Sequence, residues 1–195
     1  MKKLKYIFLL ALSSIIISCD NDDEGFYNAV YIKATENLIH IEHQNTYLIG
    51  DYIWLGTENF NRLITEPNQT TPLDIFQTTK ATAFEFIYGL EKKEGNTWNL
   101  ITVGNNLLID KGSAQTGSYV LAKCIYNEAT SNYEYRGGIK LAVSGEYRMF
   151  FGKSFTSDKN FDITSVNTDP AATYLTISTS TNNLSTDGYY YFSVN

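Results

Sequence analysis

The only imidazoles in the chain are His40 and His43, which flank Ile41-Glu42. On a helix they would stand at i and i+3 and could share a metal, but on a strand an odd separation sends them to opposite faces. Leu38–His43 alternates as a strand does, and no other Cys or His completes a zinc set. No metal and no cofactor is therefore expected. The same scarcity argues against Ser-His-Asp and Cys-His catalysis. Cys124 sits in an apolar stretch without the charge that would make it a thiolate, so it reads as a small core residue. No G-x-S-x-G elbow and no Gly-rich phosphate loop occurs.

Carboxylate chemistry needs two acids a few ångströms apart, as in glycoside hydrolysis. Glu85, Glu134 and Glu146 lie in or beside expected strands, but nothing singles out a pair, and strand carboxylates usually face solvent. The chain is not expected to be an enzyme. Oxygen ligands for calcium gather in Asp158–Asp162, but their spacing is not that of an EF-hand loop, and a solvated turn is the simpler reading. Aromatic residues carry the remaining signal: two Trp, 15 Tyr and 11 Phe. Exposed rings stack on sugar faces or anchor interfaces, although most rings in a β-protein fill its core. Tyr189-Tyr190-Tyr191 must place rings on both sides of a strand. Tyr126, Tyr133 and Tyr135 flank the Asn127–Asn132 turn and form a candidate ligand rim.

The elements that must hold these residues are strands. Short alternating runs rich in Tyr, Phe, Ile, Thr and Val are broken by Gly, Asn, Asp and Ser. In Thr82–Leu90, Phe84, Phe86, Tyr88 and Leu90 share one face; Tyr147, Met149 and Phe151 share another. With Ala29–Ala34, Leu38–His43, Tyr47–Leu55, Trp98–Val103, Tyr119–Tyr126, Tyr133–Val143, Tyr174–Thr179 and Tyr189–Val194, about ten strands are expected. No helix is expected beyond the N-terminal segment, so the fold reads as an all-β, antiparallel β-sandwich, with a barrel as the alternative. Glu58–Thr79 and Lys153–Ala172 read as long connections.

Gly50-Asp51-Tyr52, Gly117-Ser118-Tyr119, Gly145-Glu146-Tyr147 and Gly188-Tyr189-Tyr190 each put Gly two residues before Tyr at a strand start. Ser144-Gly145-Glu146-Tyr147 and Asp187-Gly188-Tyr189-Tyr190 resemble the tyrosine corner of immunoglobulin-like sandwiches. The Cys…Trp…Cys pattern of immunoglobulin domains is missing, so the resemblance favours sandwich over barrel and no more.

The N-terminus gives an address. Met1-Lys2-Lys3-Leu4-Lys5 is cationic, and Tyr6–Ile17 is a nearly unbroken apolar run of 12 positions, short of the ~20 a spanning helix needs. It fits the h-region of a signal peptide. Ile16-Ile17-Ser18-Cys19 resembles the bacterial lipobox. That resemblance implies residues 1–18 as a cleaved lipoprotein signal peptide, a diacylated Cys19 as mature N-terminus, and the membrane as a partner through that lipid. Asp20, Asp22, Asp23 and Glu24 make residues 19–25 an acidic tether. They resemble the export signal of surface lipoproteins of the Bacteroidota, which implies an outer-membrane protein facing the cell exterior. An aspartate directly after the cysteine also resembles the inner-membrane retention mark of enterobacteria; the longer acidic run favours export.

Residues 26–195 are left as a single domain. The first 18 residues hold three of the 15 basic residues and none of the 21 acids, so the mature chain has a net charge of −9. That excess of acid argues against a nucleic-acid partner, whose phosphates must be neutralised by Lys and Arg. With Cys19 acylated, Cys124 is the only other cysteine, so no intramolecular disulfide can form. The expectation is a non-catalytic binding or accessory module, with glycan capture as the role the lipoprotein resemblance implies. The alternative is a structural or interaction protein, an adhesin or envelope-assembly subunit, with a protein partner.

Overall fold

The computed structural model describes residues 29–154, 159–166 and 173–195. The lipidation residue Cys19, the acids Asp20, Asp22, Asp23 and Glu24, and Asp158 of the candidate calcium turn lie outside the described residues. The alternation read in the sequence is realised in a long strand, β6 (Ala83–Glu94). Its inward residues Phe84, Phe86, Tyr88 and Leu90 are all at most 1% exposed, so period-two patterning puts this face of the strand in the core as far as Leu90.

Strand β6 is the spine of a ten-stranded sheet. Along one edge its first half pairs with β10 (Val120–Asn127) and its last residues with β7 (Thr97–Leu100). Along the other edge it pairs first with β14 (Phe161–Ser165) and then with β13 (Gly145–Phe151). Beyond β14 lie β15 (Tyr174–Thr179) and β1 (Ala29–Lys33); beyond β13 lies β16 (Tyr190–Val194). Strands β9 (Ser113–Thr116) and β11 (Asn132–Glu134) pair in turn with the edge of β10 opposite β6.

A second sheet has the order β2 (Ile39–Ile41), β3 (Tyr52–Thr57), β12 (Arg136–Lys140), β8 (Leu107–Lys111). Ile39, Ile41, Ile53, Leu55 and Ile139 from it join Phe84, Phe86, Met149, Ile163 and Ile177 of the large sheet in one buried cluster. Each such side chain contributes roughly 1.5–3 kcal/mol by burial. This is an all-β sandwich, and its sheets do not close into a barrel.

Named strand pairs are antiparallel with one exception, β1 on β15, which is parallel. The sequence offered no helix for a parallel crossover. None is needed, because these strands come from opposite ends of the chain and the whole domain is their connection. The long connections also hold more structure than expected. Glu58–Thr79 contains the hairpin β4 (Leu63–Ile64) and β5 (Leu73–Asp74) and one helical turn, α1 (Ile75–Thr79). The α1 turn is capped by Asp74, which accepts the Gln77 N–H at 2.9 Å.

Two strands pass from one sheet to the other and make a corner of the sandwich. Strand β8 of the small sheet runs into β9 of the large one across Gly112 alone, and β11 of the large sheet runs into β12 of the small one across Tyr135. Gly112 has φ +74°, and a Cβ there would stand 2.5 Å from the Lys123 carbonyl oxygen and 2.8 Å from that of Glu134. Only glycine fits both the left-handed backbone and the close approach.

The core is rich in tyrosine, and its hydroxyls are satisfied. Tyr88 and Tyr135 share a hydrogen bond of 2.7 Å, and Tyr133 donates to the Ala81 carbonyl at 2.9 Å. Tyr147 donates to the Val143 carbonyl, four residues upstream, at 2.6 Å, with Gly145 at φ +138° between them. The tyrosine-corner hydrogen bond expected at Ser144–Tyr147 is thus present. At the other proposed corner Tyr190 turns instead to His43, its hydroxyl 2.5 Å from Nδ1.

Candidate functional site

Two surface regions combine an arginine, an indole and carboxylates. The first covers the outer face of the large sheet at the far end of β6, where β7, β6, β13 and β16 lie side by side. Register fixes which residues meet there. Glu91 pairs with Leu100 on one side and Arg148 on the other, and Arg148 pairs with Tyr191. Lys93 pairs with Trp98, and Glu146 with Ser193. Their inward neighbours Leu90, Tyr147, Met149 and Tyr190 are buried, so alternation sends this set outward.

Trp98 and Tyr191 are three strand spacings apart, about 14 Å, yet their ring centroids are 5.6 Å apart. The two side chains lean toward each other over the middle strands and close above Arg148. The Arg148 guanidinium carbon is 4.7 Å from the Trp98 ring centroid and 3.9 Å from that of Tyr189. Its Nε donates to Glu91 at 2.5 Å, and Lys93 Nζ lies 2.6 Å from Glu146 Oε2. Tyr191 donates its hydroxyl to Asp187 at 2.7 Å. Hydrogen bonds from Ser185 and Tyr191 hold the Asp187 carboxyl below the ordinary aspartate range. Beside the rings a cleft of about 320 Å³ is lined by Lys93, Trp98, Glu146, Tyr191 and Ser193 among others. Tyr191 is 42% exposed and Leu100 50%. Ring surface beside planar polar groups can stack against an apolar face and exchange hydrogen bonds with polar groups of a ligand.

The second region is the sandwich corner. A cleft of about 330 Å³ is walled by His40, Glu42, Glu58, Lys111, Glu134 and Arg136. Arg136 grips Glu42 with both ends of its fork, at 2.6 and 2.8 Å, and reaches Asp110 at 3.1 Å. These acids raise its pKa, Glu42 first, and its guanidinium carbon is 4.1 Å from the Trp54 ring centroid. Trp54 lies against Gly138, where a Cβ would come within 2.6 Å of the indole. Glu134 is held below the ordinary carboxylate range by hydrogen bonds from Asn127 and Thr130 and by Lys111. His40 meets Glu58 at 3.1 Å. This cleft offers charge, and its Phe and Tyr lining, Phe60, Tyr133 and Tyr135, is at most 1% exposed.

The candidate rim of Tyr126, Tyr133 and Tyr135 does not form. Tyr133 and Tyr135 point into the core because they alternate inward at the corner, and burial pushes both phenols up. Tyr126 stacks on Phe76 of α1 with centroids 4.5 Å apart. His40 and His43 have separate partners, and no group of three metal-ligating side chains occurs among the described residues. Cys124 is fully buried, and burial followed by the nearby Glu85 raises its thiol pKa. Glu85, Glu134 and Glu146 are not brought together: they pair with Lys123, Lys111 and Lys93 in three separate places. Tyr189-Tyr190-Tyr191 does divide its rings, with Tyr190 2% exposed and Tyr191 outward. The arginines were the residues sequence reasoning passed over. A lone Arg in the aromatic run Tyr147–Phe151 was the available signal, since a charge in such a strand needs a partner.

No family model, curated protein or solved structure matches this chain.

Proposed function

We propose that this protein is a lipid-anchored lipoprotein of the outer membrane, facing the cell exterior, and that its folded domain is a non-catalytic module that captures glycans at the Trp98 face. The observation that carries the reading is the convergence of Trp98, Tyr189 and Tyr191 on Arg148, with Glu91, Lys93 and Glu146 around them, on one outward sheet surface. The anchoring rests on the lipobox-like Ile16–Cys19, and the outward display on Asp20, Asp22, Asp23 and Glu24. A non-catalytic role is supported by the dispersal of the strand carboxylates.

Two experiments test this. Protease shaving of intact cells should remove the folded domain while a periplasmic control survives; protection until the outer membrane is opened would contradict surface display. Domain purified without Cys19 should be retained on some member of a broad polysaccharide panel. Leu100, exposed at the β7 edge of the same face, supports the second reading, a docking face for another protein, in which case a partner co-purifies and the glycan panel stays blank.

A further inference from the structure

We infer that the Trp98 face is the membrane-distal end of the domain and that its ligand is an uncharged polysaccharide arriving from the medium. The inference rests on the lipid anchoring and glycan binding proposed above, and adds the orientation and ligand class. Strand register supplies the first part. Tyr31 of β1 pairs with Thr176 of β15, Thr176 with Thr164 of β14, and Thr164 with Glu85 of β6, so these four residues form one row across the sheet. Strands β1 and β6 run in the same direction, because β15 is parallel to β1 and the two antiparallel steps through β14 cancel. Ala29, two residues before Tyr31, is therefore level with Ala83 at the start of β6.

The chain that follows Cys19 enters the described residues at Ala29. The binding face is centred on Glu91 and Lys93, at the other end of the same strand. At 3.2–3.4 Å per residue, eight to ten residues of β6 separate the levels by roughly 30 Å. The corner cleft lies at the tether's end, because Ile125 pairs with both Ala83 and Glu134. With the lipid attached upstream of Ala29, the Trp98 face stands at the end of the domain farthest from the point where the anchored chain enters. A ligand in the medium reaches that face without competing with the bilayer, whereas a lipid or membrane-embedded partner would have to reach past the length of the domain.

Charge supplies the second part. Both cations at the centre of the face are already matched, Arg148 by Glu91 and Lys93 by Glu146. No surplus of positive charge is left for a uronate or sulfate, and the mature chain at −9 repels polyanions. Ring surface and paired polar groups fit a neutral sugar chain.

The test uses full-length lipidated protein in phospholipid vesicles. Asn96→Cys and Glu128→Cys place single labels in exposed turns at the two ends of the domain, and Cys124 stays unlabelled because it is fully buried. Energy transfer from a maleimide dye to acceptor lipids should be several-fold weaker from position 96 than from position 128. Equal transfer, or the reverse order, overturns the orientation whether or not any glycan binds. The same preparation is then offered neutral, uronic-acid and sulfated polysaccharides. Retention on a neutral polymer that survives high salt supports the ligand class. Retention confined to an anionic polymer and lost in salt overturns it while leaving glycan binding intact. A blank across all three classes overturns both the class and the glycan reading beneath it.

Discussion

Arg148 and Arg136 each stack on an indole and bind carboxylates, yet their surroundings make different surfaces of the same unit. Arg148 and Glu91 are 16% and 20% exposed, roofed by Trp98 and Tyr189. Arg136 and Glu42 are 35% and 40% exposed in an open cleft of acids and bases. In the first case the ion pair is the floor that props up an aromatic surface. In the second it is the wall of a charged pocket whose own aromatic lining, Phe60, Tyr133 and Tyr135, faces the core. An arginine on a tryptophan therefore does not define a site; what is left exposed once the stack has formed does.

The sandwich corner is where a single substitution should cost the fold most. Gly112→Ala should destabilise the fold by on the order of 2–4 kcal/mol, from the left-handed backbone and the clash with two carbonyls, read as a lowered urea midpoint. The arginines can then be compared directly. Arg148→Met strands a half-buried Glu91 and should cost about 2 kcal/mol, whereas Arg136→Met, in a solvated pair, should cost about 1 kcal/mol or less. Equal losses would remove the distinction between floor and wall. Beneath the aromatic face, Tyr147→Phe deletes the bond to Val143 and should cost about 1 kcal/mol by the same measurement.

Acid should act on both regions, and weakly. Each holds a carboxyl whose folded-state pKa is depressed, Asp187 beside the rings and Glu134 in the cleft. The stability they add is present above their unfolded values near 4 and is lost as pH falls through the folded ones. Tm measured across pH should be flat above about pH 5 and decline below about pH 4. Asp187→Asn with Glu134→Gln should shrink that decline.

Much of the fold was legible because period-two alternation is local: Phe84, Phe86, Tyr88 and Leu90 announce the inner face of β6 without reference to anything else. The tyrosine corner at Tyr147 was legible for the same reason, since donor and acceptor are four residues apart. Strands β8, β9 and β14 do not stand out in the sequence: all are four or five residues long, β8 reads Leu-Leu-Ile-Asp-Lys without period-two alternation, and β9 has a single apolar residue, Ala114. The α1 turn is too short for helical periodicity to register. Tyr133–Val143 read as one strand because nothing local at Tyr135 marks the passage between sheets; that bend is set by Thr57, whose N–H reaches the Tyr135 carbonyl at 2.9 Å from 78 residues away. The candidate site was the least legible part. Trp98 and the tyrosines at 189 and 191 were visible as aromatics, but the pairing of β13 with both β6 and β16 brings Arg148 beneath them. No spacing within one segment encodes that meeting.

Affinity electrophoresis of three proteins through polysaccharide-loaded gels tests whether Trp98, and not Trp54, carries the proposed ligand binding. Wild type should be retarded by at least one neutral polymer, Trp54→Ala should be retarded equally, and Trp98→Ala should run free, as expected for a hot-spot residue worth about 2 kcal/mol or more. Retardation that survives Trp98→Ala, or vanishes with Trp54→Ala alone, would contradict the account and move the site to the corner.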